Sequence, residues 1–180
     1  MKLFEAILTG ALLLADLYNP VPADVPKAES DLLQYAQSKM KINDYVDMLR
    51  AIEVGSKYFP HIEPEIVLSV FYIESHFDKY ALNTNTNETE DYGLSQQNSK
   101  YYKDRFKTAK IILDKEKLFR SDWNNPYDIY LNVLACYIHL DWCFKQKQSK
   151  TEGIKKYNGM GIQTEIYLKK FLDVYYFMAV

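Results

Sequence analysis

Pro64-Glu65-Ile66-Val67-Leu68-Ser69-Val70-Phe71-Tyr72-Ile73-Glu74-Ser75 reads as one helix, and the fold turns on it and on the segment that follows to Gln97. Pro64 falls at the first helical position, where its missing N–H leaves no bond unmade. Val67, Val70, Phe71 and Glu74 stand at i, i+3, i+4 and i+7 and share a face. Ile66, Ile73 and Phe77 flank that face, while Leu68 and Tyr72 cover much of the other side. A helix apolar nearly all round is a buried one. Glu74 therefore extends an apolar stripe, where a carboxylate is costly unless paired or protonated, and the helix C-terminus adds to that cost. Both effects are expected to raise its pKa, as a general acid near neutral pH requires. The competing reading is that Glu74 ends the helix and turns to water, since buried glutamates are rare.

Residues 83–91 (NTNTNETED) have no helical period and are rich in turn formers, which predicts a small polar hairpin or β-ribbon. It leads into Asp91-Tyr92-Gly93-Leu94-Ser95-Gln96-Gln97-Asn98, where a second carboxylate sits beside a glycine that lets backbone approach a ligand closely. Helix, ribbon and turn in that order are expected to form a cleft with Glu74 on one wall.

The rest of the chain bounds the answer. At 180 residues with 48% apolar content it suits a single real core. A net charge of -2 with both signs interspersed gives no electrostatic footprint for nucleic acid. The 16 tyrosines suit sugar binding and core packing equally, so they decide nothing alone. Cys136 and Cys143 lie in one helical segment, where seven residues span ~10.5 Å, too far to pair unless the helix breaks. His61, His76 and His139 form no ligand-spaced motif with them, so neither zinc nor any other cofactor is expected.

At the N-terminus, Lys2, an apolar run over 6–15 and Val21-Pro22-Ala23 follow the order of a secretory signal, with an ordinary apolar first helix as the alternative. The expected division is 1–23 as signal or first helix, 24–62 as a helical segment and 63–180 as the main domain. Pro20, Pro22 and Pro26 mark a stiff connector. Short amphipathic helices are expected over 31–39 and, capped by Asn43 or Asp44, up to the stop at Phe59-Pro60. Further helices are expected over 101–113, 126–144, from a Thr151 cap to Tyr157, and over 164–178. Gly159 to Gly161 ends the third of these.

Glu74-Ser75-x-Phe77 with Ala81, then Asp91-Tyr92-Gly93-Leu94-x-Gln96-x-Asn98, resembles the lysozyme-like superfamily, in particular the soluble lytic transglycosylase domain. Ile154-Lys155-Lys156-Tyr157-Asn158-Gly159, with Tyr167 and Val174 downstream, resembles that family's third motif. The resemblance covers roughly 64–176. It implies an α+β, predominantly α, lysozyme-like fold with a small β-ribbon beside the cleft. It also implies an exported, periplasmic or envelope enzyme that acts on peptidoglycan glycan strands as a monomer, with secretion-apparatus or phage-structure partners in some settings.

The resemblance implies cleavage of the MurNAc-(β1,4)-GlcNAc bond with formation of a 1,6-anhydro end, Glu74 serving as acid and then base. Ser75, Asp91, Gln96, Tyr157 and Asn158 become candidate substrate-binding residues. Each has a plainer alternative: Ser75 as a helix cap, Gln96 satisfying the ribbon backbone, Tyr157 as a buried tyrosine, Asn158 as a structural residue. Asp78, Glu88 and Glu90 read as solvated loop charges.

The pattern departs from the family at Ser95 and Gln97, where methionine and isoleucine are usual and the methionine would wall the sugar site. Asn132-Val133 and His139-Leu140 match the family's middle-helix pattern poorly and supply no site residue. Asp91-Tyr92-Gly93 also resembles animal-type lysozymes, which hydrolyse the bond with a second carboxylate but carry a disulfide set that this chain cannot form. Secretion- and conjugation-associated transglycosylases place an aspartate there too. A hydrolytic muramidase using Glu74 and Asp91, and an inactive peptidoglycan-binding or structural protein, are the two alternatives.

Overall fold

Glu63 in extended backbone leads into Pro64, and the helix predicted from that proline runs Pro64–Ser75. A computed structural model describes residues 27–118, 124–147, 149–159 and 163–177. The expected signal over 1–23, the proline connector and Gly161 lie outside the described residues. In chain order the elements are α1 (Lys27–Lys39), α2 (Ile42–Tyr58), α3 (Pro64–Ser75), β1 (Leu82–Thr84), β2 (Glu90–Tyr92), β3 (Gln97–Asn98), α4 (Tyr102–Lys115), α5 (Ile129–Lys145), α6 (Lys150–Asn158) and α7 (Gln163–Phe177). The described chain is thus mostly helical with one small antiparallel sheet of order β1-β2-β3. No helix among the described residues is long and apolar enough to cross a membrane.

The middle of the helical body is α5, not α3. It packs against α2, α4 and α6, whereas α3 lies mainly against α1 and α7. The sequence Ile129-Tyr130-Leu131-Asn132-Val133-Leu134-Ala135-Cys136-Tyr137 is buried without a break, which no amphipathic surface helix allows. Asp128 starts this helix by accepting from the Leu131 N–H. Gly55 on α2 makes the α2–α5 approach possible, because a Cβ there would stand 2.2 Å from the Tyr137 ring. The Tyr137 hydroxyl is satisfied at Ser56, 3.0 Å away.

Two caps differ from the sequence reading. Asn43 and Asp44 fall inside α2, which begins after Lys41 without a side-chain cap. Thr151 falls inside α6, whose cap is Ser149, accepting from the Glu152 N–H. Before α6 both Ser149 and Thr151 could cap and the helix starts at the earlier one, whereas α2 starts one residue before Asn43 with no capping side chain.

The ribbon is short and held largely by its own side chains. Asp91 on β2 pairs with Asn83 on one side and Asn98 on the other. Its far face carries Tyr92, which meets Tyr127 and Tyr102 edge-on at 5.7 and 5.6 Å and so fastens the ribbon to the helices. Glu90 is not a solvated loop charge: it is half-buried and accepts from the Tyr92 hydroxyl.

Candidate active site

Helix α3 delivers Glu74 one residue before its end. There the chain turns sharply through His76 (φ 51°) and Phe77 (φ 62°), two consecutive residues in the left-handed region. The cost of that conformation for non-glycine residues is set against the burial of Phe77, which is 1% exposed, and the stacking of His76 on Tyr72 at 5.0 Å. The turn leaves Glu74 partly exposed beside the ribbon.

Burial raises the Glu74 carboxyl from an ordinary 4.5 to about 7, and the charge of Asp91 adds to the rise. The Tyr167 hydroxyl and the Lys170 ammonium, both from α7, oppose it by favouring the charged form. The Tyr167 hydroxyl stops short of a well-formed hydrogen bond and is buried with no other partner. Asp91 has a different setting. Its two oxygens accept from the Asn85 and Asn98 side-chain amides at 2.8 and 2.7 Å.

The turn after Asp91 forms the other mount of the site. Gly93 has φ 73°, and a Cβ there would lie 2.4 Å from the Asn132 amide nitrogen. Asn132 is 1% exposed and fully used. Its Nδ2 donates to the Tyr92 and Pro126 carbonyls at 3.0 and 3.2 Å, and its Oδ1 accepts from the Ser95 N–H and hydroxyl, both at 2.8 Å. Asn132 thus belongs to the site's support, although the poor match of its helix to the family pattern left it without a role.

The other candidates separate clearly. The Ser75 hydroxyl is taken up by backbone: it lies 3.0 Å from the Phe71 carbonyl within its own helix and 2.9 Å from the Leu94 carbonyl in the turn. Gln96 turns its amide nitrogen to the Ala81 and Gly93 carbonyls at 3.1 and 3.0 Å, so this donor satisfies the ribbon backbone and not a ligand. The Tyr157 hydroxyl donates to the Ser95 carbonyl at 2.9 Å rather than to Glu74, and its ring packs on His139 at 4.4 Å. It is the buried tyrosine of the plainer reading, with the added task of holding the turn. Asn158 ends α6 exposed. Ser95 and Gln97 are each 1% exposed and lie in the interior.

Burial pushes the His139 imidazole down to about 3, so it packs as a neutral ring. No group of three or more His, Cys, Asp or Glu among the described residues could hold a metal ion. Comparison with protein-family models, with curated proteins and with solved structures gives no match.

Proposed function

We propose that this protein has a lysozyme-like fold and cleaves the MurNAc-(β1,4)-GlcNAc bond of peptidoglycan, with Glu74 as the proton donor. The observation that carries the reading is one pair of carboxyls in unequal surroundings. Glu74 is held protonated up to about 7, while Asp91 rests on two amide donors within reach of Glu74's field. Unequal carboxyls are what glycosidic cleavage uses, one to protonate the leaving oxygen and one to meet the oxocarbenium-like charge at C1.

In the hydrolytic route Glu74 gives its proton to the bridging oxygen, and the C1–O bond breaks. Asp91 supports the positive charge at C1. Water then adds at C1 and returns a proton to Glu74, leaving a reducing muramic end. Asp91 favours this route, because it gives the second carboxylate a task.

The transglycosylase route implied by the soluble lytic transglycosylase resemblance is the second reading. There the muramic C6 hydroxyl attacks C1 and loses its proton to Glu74, giving a 1,6-anhydro end without calling on Asp91. The midpoint of Glu74 and the Ser75–Leu94 tie support both routes equally. Peptidoglycan, the substrate of both routes, lies outside the cytoplasm, so both readings need the chain to be delivered across a membrane.

Mass spectrometry of digested sacculi tests the reading. Hydrolysis yields reducing ends, and transglycosylation yields ends lighter by one water. If wild type and Glu74→Gln both bind sacculi and both leave them intact, the protein is a binding module and the enzymatic reading fails.

A further inference from the structure

The two carboxyls stand on different elements, yet both are tied to one short stretch of chain. Glu74 is tied through its neighbour Ser75, whose hydroxyl lies 2.9 Å from the Leu94 carbonyl. Asp91 is tied through Asn98 on β3, whose amide donates to it at 2.7 Å. Only Ser95, Gln96 and Gln97 lie between those two attachment points. Whatever fixes these three residues fixes how the carboxyls stand to each other.

Beneath the stretch lies a polar interior. The Gln97 amide nitrogen donates to the Ser95 hydroxyl at 2.9 Å and to the Tyr157 hydroxyl at 3.4 Å. The Gln97 carbonyl oxygen accepts from Arg105 Nη1 at 2.8 Å. The Tyr157 hydroxyl in turn holds the Ser95 carbonyl. Arg105, from the first turns of α4, is largely withdrawn from water, which lowers its pKa, and it lies 5.9 Å from the Tyr101 ring. No carboxylate pairs with it among the described residues. A guanidinium in such a place needs every acceptor it is offered, so its bond to Gln97 is not incidental. Satisfied polar networks of this kind permit one arrangement, where apolar contacts tolerate several.

We propose that Gln97 and Arg105 are positioning residues: through the Ser95–Tyr157 network they fix the 95–97 stretch and thereby the placement of Glu74 against Asp91. This rests on the proposed glycosidase reading for its kinetic consequence, but not for its structural one. Gln97→Leu removes both donors and the acceptor at once. Arg105→Met keeps most of the buried stem and removes the donor.

The test is carboxyl NMR titration of Glu74 together with kinetics on purified peptidoglycan, using the full chain. In both variants the Glu74 midpoint should move down from about 7 as water reaches a less firmly held site. The kcat should fall about 100-fold for Gln97→Leu and about tenfold for Arg105→Met, since small misplacements carry penalties of that order. KM should change by less than about twofold, because no substrate contact is removed. Gln97→Glu, which keeps an acceptor for Arg105, should recover part of the loss.

If folded variants melt lower but keep the wild-type midpoint and kcat, the network is merely structural and the proposal is overturned. Should Gln97→Leu fail to fold, Arg105→Met, which keeps most of the side chain's stem, decides the matter alone. A midpoint that shifts in a protein whose wild type leaves peptidoglycan intact would refute the enzymatic reading and uphold the positioning role.

Discussion

Glu74 and Asp91 are similar groups on opposite kinds of support. One ends an apolar helix and is raised to about 7 by burial; the other sits mid-ribbon with an amide on each oxygen. The difference teaches that like groups are set apart by their surroundings, since one acid is drawn out of water and the other is given hydrogen-bond donors.

The largest effect expected from breaking this contrast is at Glu74. Glu74→Gln should cut bond cleavage by about 10³-fold or more, as loss of a general acid does, with binding to sacculi retained in a pull-down. Asp91→Asn should lower hydrolysis about 100-fold and also shift the basic limb of the pH–rate profile down, because the charge that raises Glu74 is gone. If Asp91→Asn leaves the rate intact and anhydro ends accumulate, Asp91 is a ribbon residue and the transglycosylase route holds.

Stability sharpens the same contrast. Glu74 binds its proton more tightly in the folded state than at its ordinary 4.5. Its contribution is therefore full below about 4.5 and is lost as pH rises through about 7. Urea melts at pH 8 should find Glu74→Gln more stable than wild type by up to roughly 3 kcal/mol, with the gap closing at pH 4. Smallest should be Asn85→Ala, which strips one amide from Asp91. It should cost about 1 kcal/mol in stability and about tenfold in hydrolysis, read from melts and rates together.

Local signals carried much of this arrangement. Pro64 marked the start of α3, and the alternation of Asn and Thr after Leu82 marked the ribbon, because both depend on neighbours in sequence. The raised carboxyl of Glu74 was legible from the apolar stripe it extends, although the turn after it leaves the side chain partly exposed. The roles of Gln96 and Tyr157 were not, since whether an amide or hydroxyl turns to backbone or to a ligand is decided by the fold around it. Asn132 had a signal that could have been weighed: an asparagine inside an apolar run must find partners, and the Gly93 turn supplies them. Tyr167 was marked only as lying downstream of the third motif, and its place beside Glu74 was not legible, for only the return of α7 against α3 brings it there.

Cys136 and Cys143 lie on the most enclosed helix of the molecule, both 0% exposed and unpaired. Burial raises both thiols, Cys143 to about 11, so neither offers a thiolate to a reagent while the helices stay closed. The pair is therefore a built-in clock: the rate at which an added alkylating agent modifies them measures how often the interior opens, without any label being introduced.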